Sequence, residues 1–228
     1  MSDKINWKNF QDKNMGNISA LPMLRKSITF LLAKPIIFIP ILFGTILVEI
    51  LDMIRYYSDI PDIFGWWWLE DVRYLTAGEI LISIIYMMIL SVIAAFFHLV
   101  SLNMAKNALS NEEPNIGKSV SYMLSHLTTF IIAFIVGQIL LLTYILGPIG
   151  ALIIIIPFVN GGNISNTFSK AVQFFIKKPI DMILLVAIAW IARVILSLFP
   201  VMFVWSLRAF SDLIVSVAIL NLYVTNKP

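Results

Sequence analysis

The sequence predicts an all-α integral membrane protein: six transmembrane helices in three parallel repeats, each an interfacial amphipathic helix followed by a helical hairpin. Three observations lead there. The first is composition: of 228 residues, 60% are hydrophobic and only 13% charged, with a mean hydropathy of +0.91. Soluble domains are roughly 45–50% apolar and about 25% charged, so a soluble core could not absorb this much apolar surface. The second is a phrase that recurs. Residues 26–35 read KSITFLLAKP, residues 170–179 read KAVQFFIKKP, and residues 118–127 carry a weaker copy, KSVSYMLSHL. Each copy leads into a long apolar stretch, the signature of one structural unit used repeatedly. The third is the distribution of lysine and arginine, which cluster in alternate connecting segments as cytoplasmic loops do.

Along the chain, residues 1–20 form a polar tail and residues 21–228 a single membrane domain, with repeats at about 21–103, 114–164 and 165–226. The tail carries Asp3, Lys4, Lys8, Asp12 and Lys13 without an apolar core. It is therefore not read as a signal peptide, and the first span is expected to act as its own insertion signal. A spanning helix needs ~20 mostly apolar residues. Spans are expected at 36–54, 77–103, 128–146, 149–168, 180–199 and 202–224. The fourth is the least regular, because its apolar part ends at Val159 before Asn160-Gly161-Gly162-Asn163. Either that helix continues past the glycines, or Gly147-Pro148 is the tip of a short hairpin. Pro157, Gly161 and Gly162 form a candidate hinge in this segment. An even number of spans per repeat gives successive repeats one orientation, so they would be related by an axis along the membrane normal. The basic segments then place both termini on the cytoplasmic side of the cell membrane.

The repeated phrase is itself amphipathic. Apolar residues fall at Leu24, Ile28, Leu31 and Leu32 in the first copy. They fall at Ile116, Val120, Met123 and Leu124 in the second, and at Phe168, Val172, Phe175 and Ile176 in the third. All three follow i, i+4, i+7, i+8, one face of an α-helix. Such a helix lies in the membrane interface with its stripe toward lipid or the bundle. A bend is expected at Lys34 and Lys178, since the residue before a proline avoids helical geometry, and Pro35 and Pro179 suit the start of the next helix. Lys26, Lys34, Lys118, Lys170, Lys177 and Lys178 are candidate contacts for lipid headgroups, reached by snorkelling. Membrane lipids, anionic ones in particular, are the partners this pattern suggests.

Ionisable residues inside a bilayer are costly and are functional candidates by default. Glu49 and Arg193 each lie 23 residues after the first lysine of their phrase. Equal depth makes them a candidate intramembrane ion pair between repeats. Arg208 and Asp212, spaced i, i+4, are expected to pair along the last helix. Asp181 suits the positive end of the helix it starts. His98 and His126 lack clustered carboxylates, so no metal site is expected. Trp66, Trp67 and Trp68, with Tyr56, Tyr57 and Tyr74, read as an interfacial aromatic belt.

The pattern of interfacial helix, lysine, proline and apolar hairpin, from Leu24 onward, resembles a loose group of prokaryotic multi-pass families. Among them is the membrane domain attached to some bacterial glycerophosphodiester phosphodiesterases; others are uncharacterised six-span proteins. The resemblance implies a six-span fold and supplies no catalytic residues. Motifs of metalloproteases, serine hydrolases and P-loop enzymes are absent from the sequence, and no cofactor or enzymatic activity is expected. The membrane class excludes a nucleic-acid role. The function expected is that of a non-enzymatic membrane scaffold or lipid-interacting accessory protein. The alternative is a small-solute or lipid transporter using the bundle interior, in which case that interior should hold a polar cavity.

Overall fold

The computed structural model of the protein describes residues 19–58, 60, 76–142, 146–159, 164, 166–197 and 204–226. Within them every regular element is a helix. In chain order these are α1 (Ala20–Ala33), a 3₁₀ turn (Pro35–Phe38), α2 (Ile39–Tyr57), α3 (Ala77–Leu109), α4 (Ile116–Ser125), α5 (Leu127–Leu142), α6 (Gly147–Val159), α7 (Thr167–Lys177), α8 (Pro179–Ser197) and α9 (Val204–Thr225). The expected aromatic belt, Gly161 and Gly162 lie outside the described residues, apart from Tyr57 and the backbone of Tyr56.

Local chemistry sets the boundaries. Thr76 and Glu79 form a reciprocal capping box at the start of α3, satisfying two of the orphan N–H groups of a helix start. Asn115 accepts from the Lys118 N–H at 2.9 Å to begin α4. Lys34 (φ −132°, ψ 67°) ends α1 and Lys178 (φ −133°, ψ 50°) ends α7, each directly before a proline, as the steric restriction on pre-proline residues requires. His126 ends α4 in a related conformation (φ −118°, ψ 20°) without a following proline. Two asparagines take the left-handed backbone that asparagine tolerates, Asn111 after α3 and Asn166 before α7.

Among the described residues, four helical stretches are long and apolar enough to cross a membrane: Pro35–Arg55, Ala77–Leu109, Pro179–Leu196 and Leu207–Thr225. This is a multi-pass membrane architecture. Among the described residues a fifth crossing requires α4 and α5 to count as one span, and their axes are bent by 81° at the break between them. Six full spans are therefore not found among the described residues. The shortfall is in the middle of the chain. The 13 residues of α6 reach about 20 Å at 1.5 Å per residue, against a hydrocarbon core of ~30 Å.

Three helix pairs pack as hairpins: α2 with α3, α5 with α6, and α8 with α9. The short helices do not sit mainly on their own hairpins. Instead α4 packs on α3, α7 packs on α6, and α1 packs on α9. The second helices of the hairpins meet one another, with α9 touching both α3 and α6. Burial concentrates here: the C-terminal half of α9 from Leu213 to Tyr223, the end of α3 from Leu99 to Ala108, and α6 from Ile149 to Ile156. Toward the opposite end, Leu81, Ile82, Ile85, Met88 and Ile89 of α3 and Ile191, Val194 and Ile195 of α8 face outward. Hydrocarbon is the solvent that suits them.

Close backbone approach holds the second hairpin together. A Cβ added at Gly137 would stand 2.5 Å from Ile154 Cγ1 and 2.9 Å from the Gly150 carbonyl oxygen. Without a hydrophobic drive between helices in lipid, such small-residue contacts supply the packing energy. Gly137→Ala is expected to destabilise the protein by ~1–3 kcal/mol through overpacking. Thermal unfolding in detergent checks this, and an unchanged midpoint would contradict the close approach of α5 and α6.

Candidate functional site

The short helices and their surroundings form the candidate site. Their burial follows one register. Ser27, Ser119 and Ala171, each one residue after the first lysine of its phrase, are completely buried. Six residues after that lysine, Leu32, Leu124 and Ile176 are 72%, 57% and 70% exposed. The apolar stripe read from the sequence is thus divided. One edge, with Leu31 and Met123, turns into the protein, and the other points outward as large aliphatic side chains.

Polar contacts tie these helices to their neighbours. Asp181 Oδ1, on α8, accepts from the Ala20 N–H at 2.8 Å, capping α1 from a position 161 residues away. The carboxylate expected to serve its own helix dipole serves the start of another helix as well. Asn103 Nδ2 donates to Ser119 Oγ at 3.2 Å in the buried contact of α3 with α4. Phe174 of α7 meets Tyr223 of α9 with ring centroids 5.0 Å apart, edge to face.

The six lysines are not equivalent. Lys118 and Lys177 are exposed, and Lys26, Lys34, Lys170 and Lys178 are half-buried. The Lys34 ammonium donates to the Ala108 carbonyl at 3.4 Å and lies 5.6 Å from the Phe30 ring centre. It caps the C-terminal turn of α3, where a cation suits the helix dipole. Lys106, at the end of α3, places its ammonium 5.7 Å from the Tyr122 ring centre on α4.

The intramembrane ion pair differs from the one expected. Arg193 pairs with Asp212, not with Glu49. Its Nη2 lies 2.7 Å from Oδ2 and its Nε 2.9 Å from Oδ1, a two-pronged contact. The reason is the arrangement of helices: α9 packs against both α2 and α8, so its carboxylate is the acid that Arg193 meets first. Glu49 is half-buried, and its Oε1 has no hydrogen-bond partner among the described residues. One turn further along α9, Ser216 Oγ lies 3.1 Å from His98 Nε2 of α3. Pro157 is buried inside α6, which continues for two residues beyond it. Among the described residues no three metal-ligating side chains gather.

A cavity of about 300 Å³ lies between the first hairpin and the α4–α5 elbow. Leu47 of α2, Val92, Ala95, Phe96 and Leu99 of α3, Met123 and Leu124 of α4, and Leu127, Phe130 and Phe134 of α5 line it, and the whole lining is apolar. Nothing in the sequence separates these residues from lipid-facing ones.

Comparison of the chain with protein-family models, curated proteins and solved structures finds no match.

Arg193→Gln and Asp212→Asn are each expected to cost ~1.5–3 kcal/mol, the range for hydrogen bonds to charged groups. The double variant should recover part of that loss, because neither charge is then left alone. Glu49→Gln combined with Arg193→Gln should be additive within ~0.5 kcal/mol. Double-mutant cycles in detergent measure both couplings; a strong Glu49–Arg193 coupling would contradict the geometry.

Proposed function

We propose that the chain is a non-enzymatic multi-pass membrane protein that binds membrane lipids, anionic ones at the face carrying its three short helices. In this reading it is built of three repeats, each an interfacial helix and a hairpin, related by a pseudo-threefold axis along the membrane normal. Both termini lie on the cytoplasmic side.

The observation that carries the reading is the shared register of α1, α4 and α7. A buried small residue one place after the lysine and an exposed large aliphatic residue six places after it occur in all three. A helix of that kind buries one edge in protein and offers the other to acyl chains, while its lysines reach phosphates. Cyclic packing supports the repeats: each short helix sits on the second helix of the preceding hairpin, with α1 on α9 closing the circle. Lys118 is exposed, and Lys26 and Lys170 occupy the same place in their phrases. The apolar lining of the cavity favours a lipid ligand over the polar solute that a small-solute transporter would carry.

Near an anionic surface each lysine contributes ~1 kcal/mol. Replacing Lys26, Lys118 and Lys170 together with glutamine should therefore weaken anionic-lipid binding by ~3 kcal/mol, about 100-fold. Native mass spectrometry of protein released from vesicles containing phosphoglycerol lipid reads the bound lipid directly. Retention equal to wild type would overturn the anionic-lipid reading. Lys34→Gln is a useful contrast: it should lower the thermal midpoint, because its ammonium is engaged with the Ala108 carbonyl.

A further inference from the structure

We infer that the cavity between α3 and α5 is a binding site for one acyl chain of a membrane phospholipid, whose headgroup rests beside Lys118 at the α4 end. The inference deepens the lipid-binding reading above and rests on it.

Depth comes first. Val92 and Ala95 stand near the middle of the 33-residue apolar helix α3, the part that a bilayer core of ~30 Å covers, and Leu99 lies toward its α4 end. Water has no polar partner there, and a cavity with no polar lining excludes it. At about 300 Å³ the space is at the lower limit of ligand-sized pockets, which run ~300–1,000 Å³. It is far larger than the packing voids of a protein interior.

The fold explains why the space is there. The chain bends by 81° between α4 and α5. Beyond the bend α5 packs closely on α6 and faces α2 and α3 across the gap. An acyl chain fills such a gap without any polar group to satisfy.

Charge indicates which end the headgroup takes. Met123 and Leu127, at the bend, line one end of the cavity. Lys118 is exposed on the same short helix as Met123. Lys106 reaches the Tyr122 ring from the end of α3, seven residues past Leu99, or about 10 Å along the helix. A phosphate at this end and a tail running toward Phe134 match the distribution of basic and apolar groups. Ala95 faces the space with its single methyl group, so a larger side chain there would occupy the tail's place.

Photo-crosslinking in proteoliposomes tests this. Two lipids carry a diazirine in the acyl chain, one with a zwitterionic phosphocholine headgroup and one with an anionic phosphoglycerol headgroup. Label is mapped by peptide mass spectrometry. We expect enrichment in residues 92–99 and 123–134 over the outward-facing segment 81–89, and loss of that enrichment in Ala95→Phe with labelling of 81–89 unchanged. Enrichment with the anionic lipid alone supports both the tail site and the lysine contacts. Equal enrichment with both lipids supports the tail site while counting against the anionic reading. Even labelling of all three segments in the wild type overturns the tail site, whatever the variant does. Enrichment that persists in a folded Ala95→Phe protein overturns it as well.

Discussion

Each short helix is seated on the second helix of the hairpin before it, and the first is seated on the last. This contact organises the rest of the molecule. Ser27, Ser119 and Ala171 are completely buried on these helices, and the contact joins α1 to α9. In the interfacial reading proposed above, its strength follows from that position. Between helices surrounded by lipid, apolar burial gains nothing, because hydrocarbon is as apolar as leucine. Where water can compete, the same burial is favourable. The core accordingly gathers at the ends of α3 and α9 beneath the short helices, while Leu81 to Ile89 on the other half of α3 are largely left to the bilayer.

The Asp181–Ala20 contact has a particular part in this arrangement. A helix start leaves N–H groups without partners, and α1 begins without a side-chain cap from Ser19. The carboxylate comes instead from α8, so α1 is completed only when the third hairpin is in place. Two conserving devices then hold the bundle at depth: glycine contacts such as Gly137 with Ile154, and the Arg193–Asp212 pair between α8 and α9. The cavity beside α5 is a place where this packing leaves ligand-sized space. A packed scaffold would fill it and a small-solute transporter would line it with polar groups. An apolar space agrees with the proposed lipid-binding reading.

Local chemistry was legible in the sequence. The breaks at Lys34 and Lys178 follow from the prolines after them, and the helical stripe of each short helix follows from its period. What could not be read was whatever depends on neighbours. Glu49 and Arg193 were matched by equal spacing from a lysine, but spacing says nothing about which helix stands between them. Asp212 sits on that helix and takes the arginine. Six spans were counted from apolar composition alone, whereas the described parts of α5 and α6 are 16 and 13 residues long. The cavity left no mark at all, since Val92 or Leu127 facing a void looks the same in sequence as a leucine facing lipid. The division of each stripe into a buried and an outward edge likewise depends on the angle at which the helix is seated, which composition does not encode.

The proposed function rests on three equivalent helices at one membrane interface, each with the same edge outward. The chain contains no cysteine, so single cysteines can be introduced for spin labels without background. Labels at Leu32→Cys, Leu124→Cys and Ile176→Cys, in vesicles, would be compared for accessibility to oxygen and to a water-soluble nickel chelate. One shared depth just inside the headgroup region is expected for all three, with immobilised, inaccessible labels at Ser27→Cys, Ser119→Cys and Ala171→Cys. Three different depths, or outward labels that collide freely with the nickel chelate in water, would contradict it.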